Sequence, residues 1–455
     1  MLSATSTRGA RTERFSGSKA LWAGRLAVMS LFCVLPATGR PAPYGQWCGT
    51  WATAAMQGNS QTTFTNETLR QIVHTSVGGA RVRIRISNLF GTEPLRVEDL
   101  HLALWSCHSS IVAGSDRRLA FGGSTAVVIP PGKAAISDPI QYDLPALTDV
   151  AISFYLPRTT GDITFHPSAH QTSYIATSDV SGNADFSDGR KITSNYFLTN
   201  VEVQGKHLSG SLVTLGASIT EGYKATDGAN RQWPSVLARR LVDAGLKIGV
   251  LNEGISGNRL LAAGAGASAL SRFQRDVLDQ PGVRWVIFSD DPINDLGSTK
   301  PPPTGGELIA ATKHLIAEAH QQHILFFCST LTPFEGANYW TPKEEIAREQ
   351  FNAFVRSMNS GCDAVIDQDR ATHDPEHPKR FLSAYDSGDH LHPNDAGHRA
   401  IADAVNLPIF LDKRGGAGTE NGAKPVSNLH TQSMFRRPPA VSAVPGGMRH
   451  CAISS

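Results

Sequence analysis

The stretch Leu212-Val213-Thr214-Leu215-Gly216-Ala217-Ser218-Ile219-Thr220-Glu221-Gly222 is where the chain changes its grammar. A short apolar run reads as a buried strand, and the glycine closing it reads as a turn into a helix. The same alternation recurs downstream. Val250-Leu251-Asn252, Val283 to Phe288, Ile324 to Phe327 and Ala364 to Asp367 read as further strands. Helical stretches lie between them: one rich in Trp233, Val236, Leu237 and Leu241, then Glu307 to His320, Lys343 to Met358 and a closing one from Asn394 to Val405. Short apolar strands separated by helices predict a parallel sheet covered on both faces.

Upstream, from Trp47 to about Gly205, the pattern is strand-like throughout. Ala80-Arg81-Val82-Arg83-Ile84-Arg85-Ile86 alternates apolar with basic residues, as a strand with one buried and one wet face does. Leu95 to Glu98, Ala126 to Ile129 and Val150 to Leu156 repeat the theme, with Phe90-Gly91-Thr92 and Pro130-Pro131-Gly132 as turns. Many short strands with such breaks predict an antiparallel sandwich or jelly roll. The face carrying Arg81, Arg83 and Arg85 is expected to be solvated. The predicted division is a leader over 1–42, a β-sandwich over 46–205, an α/β/α domain over 209–412 and a disordered tail over 413–455.

The whole chain has 455 residues, of which 40% are hydrophobic and 18% charged, a composition suited to folded domains rather than disorder. With 42 Lys+Arg against 40 Asp+Glu the formal net charge is +2, which gives no general electrostatic reason to bind nucleic acid. The first residues are a special case. Arg8, Arg11, Arg14, Lys19 and Arg25 precede the apolar run Leu26 to Leu35 and then Ala37-Thr38-Gly39, the layout of a secretory signal. The run is shorter than the ~18 to 20 residues a membrane span needs. A secreted or periplasmic protein is therefore expected, with an organelle transit peptide as the rival. Cys48–Cys107 and Cys328–Cys362 are candidate bridges, with buried free thiols as the alternative.

Functional groups in open parallel sheets collect at the carboxyl edge, where strands give way to helices. Four segments reach that edge with useful chemistry. Ser218 follows the first strand, where a hydroxyl is exposed and the next helix offers free N–H groups, although such a serine alone is more often a helix cap. Asn252-Glu253-Gly254-Ile255-Ser256-Gly257-Asn258-Arg259 follows the second, its glycines allowing close backbone approach to a ligand. Pro292-Ile293-Asn294-Asp295 follows the third and offers the Asn294 amide as a donor. Before the closing helix, Asp389 lies three residues ahead of His392, a spacing that lets a carboxylate hold one imidazole nitrogen while the other faces outward as a base.

These blocks, in this order, resemble the SGNH (GDSL-type) hydrolases. Gly216-Ala217-Ser218-Ile219 matches the nucleophile motif, Gly257 the glycine block, Asn294 the Gly-x-Asn-Asp block, and Asp389-x-x-His392 the closing block. Arg231-Gln232-Trp233-Pro234, Thr330-Leu331-Thr332-Pro333-Phe334 and Gly388 to Asn394 resemble the secreted carbohydrate-esterase-like branch, in which a β domain precedes the catalytic one. The resemblance implies a flavodoxin-like three-layer α/β/α domain and a serine esterase acting on short acyl esters or acetylated carbohydrate. It implies catalytic Ser218, Asp389 and His392, an oxyanion hole from Ser218, Gly257 and Asn294, and no metal or cofactor.

Two positions depart from the family pattern. Ala217 stands where the family usually has Asp, and Pro292 where it usually has Gly. Pro292 removes an N–H and fixes φ in the turn that aims Asn294, so it is expected to loosen the oxyanion hole. Asp290 and Asp291 add acids where the branch is less charged. A weakened or inactive hydrolase scaffold that binds carbohydrate is therefore the alternative reading. Asp389, His390, His392, Asp395 and His398 also read as a metal cluster, a reading that loses weight because His390 and His392 alternate on an extended segment while the acids and His398 lie on differently facing positions. Gly264 to Ala269 reads as a small-residue helix entry rather than a dinucleotide loop.

Overall fold

A computed structural model describes residues 45–411, apart from 59, 60 and 187. The expected leader and tail lie outside the described residues. Strands Gly210–Gly216, Ile248–Gly254, Val283–Phe288, Leu325–Ser329 and Ala364–Ile366 form one five-stranded sheet, parallel throughout, in the order 2-1-3-4-5. Leu212, Val213, Leu215, Val286, Ile287 and Phe288 are almost fully buried, because helices cover both faces. The helices end where local chemistry says they should. Thr304 and Glu307 form a reciprocal capping box at the start of Gly305–Gln321, with each side chain accepting from the other residue's N–H. Pro342 opens Pro342–Arg356, and Asn394 caps Asp395–Asp403.

The region before Gly205 is all antiparallel. A five-stranded sheet is built around Gly79–Asn88 and Leu198–Gln204. An eight-stranded sheet is built around Glu67–Thr75, Thr148–Leu156 and Leu95–Cys107. Both contribute to one core, with Val82, Ile84 and Ile86 from the first sheet meeting Leu69, Val97, Ile152 and Phe154 from the second. The alternation in 80–86 thus has its expected buried face. Its other face is not simply solvated. Arg83 and Arg85 pair with Glu202, whose carboxylate is fully buried, and Arg83 also lies over the Trp47 ring. A buried carboxylate requires such partners, so two of the arginines are structural counter-ions.

The two regions are in intimate contact. Strand Trp47–Ala52 packs on Ile248–Gly254, where the Gly49 carbonyl comes so close to Gly249 that any side chain there would collide with it. The Val250 N–H donates to the Ser76 hydroxyl at 2.8 Å. Of the two candidate bridges, Cys328–Cys362 is formed. Cys48 is not bridged to Cys107: it is a buried free thiol, which burial pushes up to about 11.

Candidate active site

In the 2-1-3-4-5 order the strand sequence reverses between the first and third strands, and the crevice beyond their carboxyl ends is where such sheets place ligands. The first strand ends at Gly216, and Ser218 begins the short helix Ser218–Glu221 there. The Ser218 Oγ and the His392 Nε2 are 2.9 Å apart. His392 Nδ1 is 2.8 Å from Asp389 Oδ2. A ring that donates Nδ1–H to a carboxylate has a lone pair on Nε2 for the serine proton. Asp389 Oδ1 also accepts from the backbone N–H groups of Leu391 and His392, at 3.0 and 2.8 Å. Burial raises the Asp389 carboxyl, but the bonds from His392 outweigh it and hold the group below the usual range.

The loop carrying this pair is shaped by Asp386. Its Oδ1 accepts from Gly388 N–H and His390 N–H, and its Oδ2 meets His390 Nδ1 at 2.7 Å. Gly388 takes φ +98° in that turn, a conformation that favours glycine. On its open side the His392 ring meets the edge of Tyr223, with centroids 4.7 Å apart. The other members of the acid–histidine cluster point to separate tasks. Asp395 accepts from Thr226 and Arg231. His398 is buried and bonded to the Tyr223 carbonyl, and burial pushes its imidazole down to about 4.

Gly257 is exposed, with φ +76°, at the tip of the turn after the second strand. Asn294 Nδ2 donates to the carbonyl of Asn258 at 3.0 Å, so amide and turn form one unit. Asp295 fastens the same segment by accepting from Leu260 and Leu261 N–H at 2.5 and 3.0 Å. Among the described residues, neither Gly257 nor Asn294 hydrogen-bonds directly to Ser218.

Residues 212–405 match the family model described as GDSL-like Lipase/Acylhydrolase. The chain carries a GDSL-type acylhydrolase domain. Similar solved structures include an acetylxylan esterase from Geobacillus stearothermophilus, at 22% identity over 45% of this chain and 97% of that chain, with TM-score 0.34. A GDSL-like lipase from Bacteroides thetaiotaomicron shares 18% identity over 44% of this chain and 88% of its own, with TM-score 0.33. An alpha/beta hydrolase enzyme from the metagenome of Lake Arreo, Spain, shares 19% identity over 44% of this chain and 94% of its own, with TM-score 0.34. No curated protein sequence matches the chain.

Within the GDSL domain, the two departures have physical answers. Around Ala217 a carboxylate is present from another element, that of Asp290, just beyond the third strand. Asp290 accepts from Ala217 N–H at 3.1 Å, Ile219 N–H at 2.8 Å, Thr220 N–H at 3.2 Å and the Thr220 hydroxyl at 2.5 Å. It holds the nucleophile turn from outside. Pro292, expected to disturb Asn294, lies in the first turn of helix Asp291–Ser298, where a helix has no use for that N–H and the proline φ already fits.

Arg272 of the GDSL domain was invisible in the sequence, since a lone arginine in a short helical segment reads as surface. It is fully buried and donates to the carbonyls of Gly216 and Glu253 and to Asn258 Oδ1, at 3.1, 2.6 and 3.1 Å. One guanidinium therefore ties the ends of the first two strands to the turn that bears Gly257. Asp276 pairs with it at 3.2 Å and Asp291 lies 3.6 Å away. Glu253, buried beside Asp276, is pushed well above the usual carboxylate range, first by burial and then by that like charge.

Proposed function

We propose that the protein is a serine esterase that hydrolyses carboxylic esters, of short acyl chains or acetylated carbohydrate, through an acyl-enzyme. His392 Nε2 takes the Ser218 proton as the Ser218 Oγ bonds to the ester carbonyl carbon. Asp389 orients the imidazole and stabilises its positive charge. The oxyanion is received by the Ser218 and Gly257 N–H groups and the Asn294 amide, since donors fixed before charge develops stabilise it most. As the carbonyl re-forms, the ester C–O bond breaks and the alcohol departs with the His392 proton. Water, deprotonated by the same nitrogen, then releases the acid and restores Ser218.

The observation that carries this reading is the 2.9 Å approach of Ser218 Oγ to His392 Nε2 across 174 residues of sequence. A cavity of about 820 Å³, lined by Trp105, Gln171 and Tyr174 of the β region and Tyr223, Lys224 and Asp227 after the nucleophile helix, supports a sizeable alcohol portion. Tyr223 is both its wall and the ring partner of His392, the side on which a leaving alcohol takes its proton. The Cys328–Cys362 bridge supports an exported protein, in keeping with the amino-terminal signal pattern.

The test is hydrolysis of 4-nitrophenyl acetate and of acetylated sugars by the full chain and by Ser218→Ala. Activity should fall by roughly 10⁴-fold or more in the variant. Undiminished turnover would refute the assignment, and a wild-type protein inert on every ester would favour the carbohydrate-binding alternative.

A further inference from the structure

Glu221, last residue of the nucleophile helix, has no part in the chemistry above, yet its carboxylate is almost completely buried. Its Oε1 accepts from the Ser256 N–H at 3.1 Å, and its Oε2 accepts the Ser256 hydroxyl. Ser256 immediately precedes Gly257. The helix that begins with Ser218 and the turn that carries Gly257 are thus joined through one carboxylate. Asn252 adds a second link, its Nδ2 donating to the Thr220 carbonyl at 2.9 Å and the Glu221 carbonyl at 3.2 Å.

The remaining partner of that carboxylate comes from the β region. His166, in strand Thr164–His166, places Nε2 3.1 Å from Glu221 Oε1. Its Nδ1 is 2.9 Å from the carbonyl of Ala54, just after strand Trp47–Ala52. Both ring nitrogens therefore face acceptors, an arrangement satisfied when both carry protons. His166 and Glu221 have side chains only 3% exposed, so their contact lies in a site nearly closed to water. Burial alone would raise the Glu221 carboxyl, but the bonds and charge from His166, with those from Ser256, hold it below its usual range.

We propose that His166 is a positioning residue for ester hydrolysis: through Glu221 and Ser256 it fixes the Gly257 N–H relative to Ser218, making the β region part of the oxyanion hole. The inference rests on the esterase reading above. A buried ion pair is weak evidence for stability alone, because apolar residues of similar size often serve as well. Here the geometry gives the pair another role. It connects the two segments whose N–H groups must converge on one oxygen, and it anchors both to the middle strand of a three-stranded sheet outside the catalytic domain.

The experiment uses the full chain and the variants His166→Ala, His166→Gln, Ser256→Ala and the double His166→Ala/Ser256→Ala. The readouts are kcat and KM for 4-nitrophenyl acetate, the Ki of phenylboronic acid and the thermal melt. Boronate adds to the serine to give a tetrahedral anion whose oxygen needs the same donors as the transition state. His166→Ala should lower kcat about ten- to a hundredfold with KM within about twofold, the range expected of displacements up to ~1 Å. The boronate Ki should rise by the same factor. His166→Gln, whose amide can still donate to Glu221, should recover most of the loss. Ser256→Ala should behave like His166→Ala, and the double variant should be no worse than the weaker single variant, since both act through one carboxylate.

A folded His166→Ala protein with unchanged kcat, a fall in kcat with unchanged boronate Ki, or fully additive losses would each overturn the proposal. If His166→Ala does not fold, Ser256→Ala decides: unchanged kcat and Ki refute it. Retained hydrolysis in Ser218→Ala is a different failure, that of the esterase reading itself.

Discussion

Replacing Asp290 with Asn tests whether a carboxylate borrowed from the third strand holds the nucleophile turn. Asp290 Oδ1 serves three donors (the N–H groups of Ala217 and Thr220 and the Thr220 hydroxyl), and Oδ2 serves the Ile219 N–H. The side chain is 3% exposed, so water is not at hand to replace a lost acceptor. An asparagine keeps one oxygen. Placed at the Oδ1 position, it leaves its NH₂ facing the Ile219 N–H, donor against donor; the opposite flip is worse, with two backbone N–H groups confronted. A buried N–H without an acceptor costs about 1–3 kcal/mol, and the three surviving bonds lose their charge assistance. Together these give a destabilisation of about 2–4 kcal/mol. The strain falls on the residue next to Ser218, so kcat should drop by about ten- to a hundredfold, as a shift of up to ~1 Å would produce. Steady-state hydrolysis of 4-nitrophenyl acetate, paired with urea unfolding, measures both quantities. An Asp290→Asn protein that unfolds at the wild-type midpoint and turns over at the wild-type rate would refute the idea that this carboxylate substitutes for the one missing at Ala217.

Three further outcomes are expected. Burial, with added repulsion from Asp290 and Asp295, outweighs the attraction of Arg272 and lifts the Asp291 carboxyl to about 7, so the folded state keeps a proton that the unfolded chain releases above about pH 4. That contribution is complete below the unfolded value and is lost as pH rises through 7. Asp291→Asn should therefore raise the melting temperature more at pH 8 than at pH 5, and equal gains at both would contradict the assignment. Removing the Cys328–Cys362 bridge with paired serines frees a loop of 34-residue separation and should cost about 3–4 kcal/mol in denaturant titration; no loss would show that the bridge is incidental. Asp227→Asn, in the wall of the large cavity, should raise KM for acetylated oligosaccharides while leaving 4-nitrophenyl acetate unaffected. A parallel change with both substrates would place the alcohol elsewhere.

The parts of this molecule legible from sequence are those whose cause is local. Val283 to Phe288 announced a buried strand because six consecutive residues with no polar face but Arg284 have few other uses, and the strand has those bounds. The 80–86 alternation identified its apolar face for the same reason, but not the fate of its arginines, because Glu202 approaches from another strand far along the chain. Ser218, Asp389 and His392 were legible as a set because the order of blocks carried information that no single block held. Arg272, Asp290 and His166 were not. Each acts on backbone or side chains brought near only by the fold; Asp290 stood out as an added acid, but nothing in the spacing around any of the three points to its partners. The neighbourhood of Pro292 was read as a turn, where a missing N–H matters, and it is the first turn of a helix, where it does not.

Asp290 and Asp291 show how far this dependence on the fold goes. They are adjacent, chemically identical and both almost fully buried, and nothing in the sequence separates them. Past the end of the strand their side chains diverge. One meets four donors around the nucleophile, while among the described residues the oxygens of the other have no hydrogen bond and only the Arg272 guanidinium 3.6 Å away. The first is therefore useful only as an acceptor, and Asn should damage it. The second carries a carboxyl raised to about 7, and Asn should relieve it at alkaline pH. The same substitution at neighbouring positions is thus expected to act with opposite sign. That contrast discriminates more sharply than either variant alone, since general intolerance of this strand-to-helix junction to change would move both in the same direction.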